Sequence, residues 1–128
     1  MKPTSKPPPT REGVFTDLLA DGIAALHFDA RAQAVRVPAW LRARSWLVLN
    51  FSYGYNLVDF VVDADGVGGS LSFSGQPFAC WVPWQAVFAV TNESRSRQWM
   101  WLDAMPPQER ERAIAPEVLA TLTPGAIL

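Results

Sequence analysis

A single cysteine and a single histidine are all that 128 residues offer of the two most versatile metal ligands. One cysteine closes no intramolecular disulfide and builds no zinc cluster, and one histidine leaves most metal-hydrolase chemistry without ligands. Excess charge is missing too. With 11 Lys+Arg against 12 Asp+Glu the formal net charge is −1, so no global positive field exists to hold nucleic acid or an anionic membrane. Apolar runs such as Trp46-Leu47-Val48-Leu49 are far too short for a membrane span. Residues 1–10, MKPTSKPPPT, are basic and proline-rich with no apolar stretch behind them, and do not read as a signal peptide. What the chain does have is 49% apolar residues and six tryptophans, enough for one packed domain of ordinary size. These counts predict a cytoplasmic binding domain without the ligands for most metal-hydrolase chemistry, and composition alone goes no further.

The patterning predicts a mainly β fold led by one helix. Residues 1–9 read as a flexible or polyproline II lead-in; a solvated tail is the plain account of Pro7-Pro8-Pro9, a recognition ligand the sharper one. A helix is expected over residues 10–21, with Thr10 as N-cap and Gly22 as the stop. Val14, Phe15, Leu18 and Leu19 give it an apolar stripe, which needs either its own core or a second subunit as partner.

Short β-like runs follow at residues 23–29, 35–37, 45–51, 57–62, 87–90 and 98–102, with 45–51 apolar enough to read as a central strand. Leu71 and Phe73 alternate with serines, Gly75-Gln76-Pro77 turns the chain, and Phe78, Cys80 and Val82 alternate on the return. Several short strands with turns between them indicate a small β-sandwich or partly open barrel. The domain is expected over residues 10–105, and a tail with short helical turns at 108–113 and 116–122 completes the chain.

Near-neutrality hides two halves. Arg31, Arg36, Arg42 and Arg44 lie between Asp29 and Asp59 with no acid among them, while Asp59, Asp63, Asp65 and Glu93 follow with no cation. Such a dipole either steers a charged peptide to one edge or simply solvates scattered loops.

Candidate chemistry is sparse. His27 stands alone on an alternating strand and reads as structural; Cys80 reads as a small buried hydrophobe, and no nucleophile motif supports pairing the two. Asp63-Ala64-Asp65-Gly66 opens like a calcium loop, but the twelfth position is Ser74, where a bidentate Glu is required. Gly66, Gly68 and Gly69 offer flexibility, with no lysine behind them for a phosphate loop. The tryptophans either pack in core and rim or form a stacking surface, with Trp81 pointing opposite to Cys80. Arg42 and Arg44 with Asn50-Phe51-Ser52-Tyr53-Gly54 resemble, at imperfect spacing, the elements with which PilZ β-barrels bind cyclic di-GMP.

A longer constellation is more specific. Leu47-Val48-Leu49-Asn50-Phe51, Asn56-Leu57, Leu71-Ser72-Phe73-Ser74-Gly75-Gln76-Pro77, Val82-Pro83 and Gln85-Ala86-Val87-Phe88-Ala89-Val90 occur in that order. The order and gaps resemble the stringent starvation protein B family, the specificity-enhancing adaptors of the ClpXP protease. Its pattern runs V-L-N-I, N-L, A-R-F-G-G-x-P, x-V-P and A-A-V-x-A-I. Upstream, residues 15–19, Asp29 and Val35-Arg36-Val37-Pro38 resemble the family's first helix and its G-V-x-V-P stretch, so the likeness covers about residues 11–101.

The resemblance implies an adaptor that performs no chemistry and so needs no metal and no cofactor, and a homodimer formed through the N-terminal helix (Val14, Phe15, Leu18, Leu19). It also implies a groove for unstructured or tag-bearing peptides, and a tail that docks on the ClpX unfoldase. We place the groove where Asn50, Phe51 and Ser52 meet Leu71, Ser72, Phe73 and Ser74, with Val87 and Phe88 behind. Two departures stand out: Ser72 and Ser74 replace an arginine and a glycine of the pattern, and residues 113–128 hold one acid, Glu117, and no Lys or Arg. The first weakens affinity for acidic tags, the second docking on ClpX by the family's basic tail module. A PilZ-like nucleotide sensor and a small-barrel RNA-binding protein remain the competing classes.

Overall fold

In the computed structural model, which describes residues 9–113, the Thr10 side chain accepts the Gly13 N–H at 3.0 Å and starts α1 (Arg11–Asp21). Gly22, at φ 143°, stops it and returns its N–H to the Leu19 carbonyl. The stripe of α1 lies on β1 (Ala24–Phe28) and β6 (Val87–Asn92). Phe15, Leu18 and Leu19, expected at a dimer contact, are buried in the subunit's own core; only Val14 of the four stays partly accessible. Phe15 sets its ring edge-on to Phe51 at 5.9 Å and to Trp84 at 5.8 Å. Full burial of each such side chain stabilises the fold by about 1.5–3 kcal/mol.

The strands form two antiparallel sheets and no closed barrel. One has the order β2-β1-β6-β7, with β2 at Leu47–Phe51 and β7 at Gln98–Met100. The other has the order β3-β4-β5, comprising Val61–Val62, Gly66–Phe73 and Gln76–Pro83. Leu26, Phe28, Leu49 and Phe51 of the first sheet share a core with Val67, Cys80 and Val82 of the second. A smaller cluster of Phe88, Ala89, Met100, Leu102 and Met105 lies apart from it, with Trp46 edge-on to Phe88 at 5.1 Å.

Several local expectations need correction. The run at 45–51 is an edge strand rather than a central one: Leu47, Leu49 and Phe51 are buried while Val48 and Asn50 are not, the alternation of a strand covered on one face. The central strands are β1 and β6, buried along almost their whole length. Residues 35–37 give only a bridge, Arg36 exchanging backbone hydrogen bonds with Trp81 at 2.9 and 3.0 Å before Pro38 ends the pairing. Of residues 57–62 only the last two are strand.

The hairpin turns on Ser74 and Gly75, with φ 52° and 82°, the two positive angles of a type I′ turn; Gln76 and Pro77 are already paired with Phe73 and Ser72. The glycine run at 66–69 is no loop but the first half of β4. There a Cβ on Gly68 would stand 3.0 Å from the Trp81 ring, and one on Gly66 only 2.3 Å from the Val82 carbonyl oxygen. Close approach of the backbones, not flexibility, requires those glycines.

The helical turn at 108–113 is α2 (Pro107–Ala113), and it is docked on the domain. Ser45 Oγ donates to Glu109 Oε1 at 2.6 Å, and Arg110 Nη2 donates to the Leu102 carbonyl at 2.6 Å. Residues 106–113 therefore belong to the packed body. The helical turn expected at 116–122 and residues 1–8 of the lead-in lie outside the described residues.

Candidate functional site

The open face between β2 and the β4–β5 hairpin carries a cleft of about 430 Å³. β2 contributes Leu49 and Asn50 from the sheet's free edge. The following loop contributes Tyr55 and Leu57. Its shape is set locally: Ser52 Oγ accepts the Gly54 N–H at 3.1 Å, and Asn56 takes the left-handed conformation that closes the turn. The hairpin supplies Ser70, Leu71, Ser72, Phe73 and Pro77. None of these nine side chains is charged.

Two contacts adjoin the lining. At one the Asp59 carboxylate accepts the Ser70 N–H at 2.9 Å and the Ser70 hydroxyl at 2.6 Å, tying the loop to β4. Those hydrogen bonds hold the Asp59 carboxyl below its ordinary value, so it is ionised at neutral pH. At the other Trp40, 63% exposed, sets its ring edge-on to Phe73 at 6.4 Å. An indole so exposed is poised to stack on whatever enters.

Of the residues expected at a groove, Asn50, Leu71, Ser72 and Phe73 line this cleft together. Phe51 is fully buried, stacked on Phe60 at 5.5 Å, and supports the cleft from within the core. Val87 and Phe88 are also fully buried, and they belong to different clusters because successive strand residues point to opposite faces. Neither presents surface to the cleft. Ser52 and Ser74 lie just beyond its lining. Leu49, Tyr55, Leu57, Ser70 and Pro77 were not anticipated. The Asn56-Leu57 pair of the sequence pattern marked the loop, but nothing in a run of serines and a tyrosine marks which side chains converge.

His27, Cys80 and Asp63 are each engaged in local contacts away from the cleft. Trp46 Nε1 donates to His27 Nδ1 at 3.0 Å, which leaves the proton on Nε2, 3.0 Å from Thr91 Oγ1. Burial, with a smaller contribution from Arg95, lowers the His27 pKa to about 4. With both nitrogens engaged, His27 activates no nucleophile. Burial pushes the Cys80 thiol up to about 11, and its Sγ donates to the Phe78 carbonyl at 3.5 Å, so it is an unreactive hydrophobe. Asp63 Oδ1 accepts the N–H groups of Asp65 and Gly66 at 2.8 and 3.1 Å, an Asx turn that shapes the β3–β4 connection. Among the described residues no three His, Cys, Asp or Glu side chains come together as a metal site, and no helix is long and apolar enough to cross a membrane.

Two antiparallel sheets, an N-terminal helix and an open cleft lined by uncharged side chains define a small β-rich domain. The family model for stringent starvation protein B matches residues 13–121, and the chain belongs to that family. Its members act as adaptors of the ClpXP protease rather than as enzymes. The same match takes in the arginines and the 50–54 segment that resembled a PilZ element. No curated protein matches the chain.

Proposed function

We propose that this chain is a non-enzymatic cytoplasmic adaptor that holds unstructured or tag-bearing peptides in the cleft and delivers the proteins carrying them to ClpXP. The observation behind the reading is the open apolar cleft itself, in a chain of this family. A peptide laid beside β2 meets a strand that pairs only with β1 and so has one edge free. Backbone hydrogen bonds there suit any sequence, while Leu49, Leu71 and Phe73 offer surface to alternate side chains. Asn50, Ser70 and Ser72 add polar partners, and Ser52 and Ser74 would meet a longer peptide. Such an adaptor works by raising the local concentration of substrate at the protease.

The proposal includes a homodimer, which would pair two clefts. Val14, Leu18 and Trp99 flank a small crevice on the α1 side, and Trp99 Nε1 is buried without a hydrogen-bond partner among the described residues. A buried unpaired donor costs about 1–3 kcal/mol. Docking on ClpX rests on the family alone, since the tail beyond residue 113 lies outside the described residues.

Fluorescence anisotropy with the full chain and a labelled, unstructured alanine–leucine peptide free of acidic residues tests the reading. Saturable binding is expected, weakened about tenfold or more by Phe73→Glu, whose circular dichroism should match wild type. Absence of binding at high micromolar concentration, or binding indifferent to the substitution, would contradict it.

A further inference from the structure

Among the described residues no cation lines the cleft. Arg31 is paired with Asp29 at 2.9 Å, and Arg42 donates to the Val35 carbonyl at 3.0 Å. Arg36 and Arg44 line no part of the cleft. Position 72, where the family pattern carries an arginine, is an exposed serine. Among the described residues, the formal charge hydrogen-bonded to the lining is the Asp59 carboxylate, held against Ser70 by two hydrogen bonds and open to solvent. A peptide entering here therefore meets apolar and neutral polar surface, with a negative charge beside Ser70.

We infer that the cleft selects apolar, uncharged peptide segments flanked by a basic residue and disfavours acidic ones, with Asp59 as the specificity-determining residue. The inference rests on the adaptor reading of this cleft and names its substrate class. Asp59 acts through its field on a flanking side chain, while the apolar lining holds the segment between. Because the carboxylate is exposed, its effect is modest and sensitive to salt.

The test uses the full chain and three peptides with the same alanine–leucine core and a neutral fluorophore, carrying Lys, Gln or Glu at both flanks. Anisotropy at low salt should rank them Lys, then Gln, then Glu, with steps of about two- to fivefold. High salt should close the gaps. Asp59→Asn should close them too, while its amide oxygen still accepts from Ser70 and keeps the loop in place. Equal affinities at low salt, or tightest binding of the Glu peptide, would overturn the inference. A ranking that survives Asp59→Asn would overturn the role of Asp59. If the Gln peptide and its two companions all fail to bind, it is the adaptor reading of the cleft that falls.

Discussion

His27 links packing to a measurable pH dependence. In the folded protein its neutral ring is held between Trp46 and Thr91, and burial lowers its pKa to about 4 from an ordinary 6.5. The unfolded chain therefore binds a proton that the folded one refuses between those two values. Stability is fully present above about pH 6.5 and is lost progressively as pH falls toward 4. Between pH 7 and pH 5 the loss should be about 2 kcal/mol, read as a lower urea midpoint. The His27→Gln variant should lose much less over that interval; an equal loss would assign the effect elsewhere. The structural roles of His27 and Cys80 were legible because each stood alone, with no partner at catalytic spacing. Phe51 and Phe73 were not separable in the sequence, since both are phenylalanines on alternating strands beside serines. Depth in the fold divides them: Phe51 is core and Phe73 is the rim against Trp40.

Among the elements, those that announce themselves chemically were legible. Thr10 and Gly22 bracket α1 as an N-cap and a stop should, and the serine alternation marked the hairpin. Position within a sheet was not legible, because the apolar run at 47–51 is dense enough to suggest burial on both faces while the fold covers one. Nor was the Gly66–Gly69 strand, in which Gly66 and Gly68 answer to Trp81 across the hairpin, a contact that no local pattern reveals. The helix shows the same lesson for assembly. Leu18 is only 3% exposed, so Leu18→Asp should unfold the subunit, at a cost of several kcal/mol, rather than separate a dimer. Val14, partly accessible beside Trp99, is the informative position. Val14→Asp should give a folded monomer by light scattering and circular dichroism. A dimer that persists in Val14→Asp, or a wild type that is already monomeric, would contradict the proposed interface.

At the scale of the whole molecule, family membership was readable from the order and gaps of short motifs, none of which is decisive alone. The cleft was half readable. Its strand residues lie within motifs, but Trp40, Tyr55 and Asp59 come from turns whose convergence only the fold produces. The near-zero net charge likewise resolves in space: Arg31, Arg36, Arg42 and Arg44 all lie outside the cleft lining, and an acid is bonded to its Ser70. The account's central claim is that this cleft is where peptide binds. Two-dimensional NMR of the full chain titrated with the uncharged alanine–leucine peptide tests it most directly. Amide shifts should concentrate on Asn50, Tyr55 and residues 70–73, leaving β7 and α2 unmoved. Shifts that cluster instead on the outer face of α1, or that spread evenly with no saturable set, would contradict it.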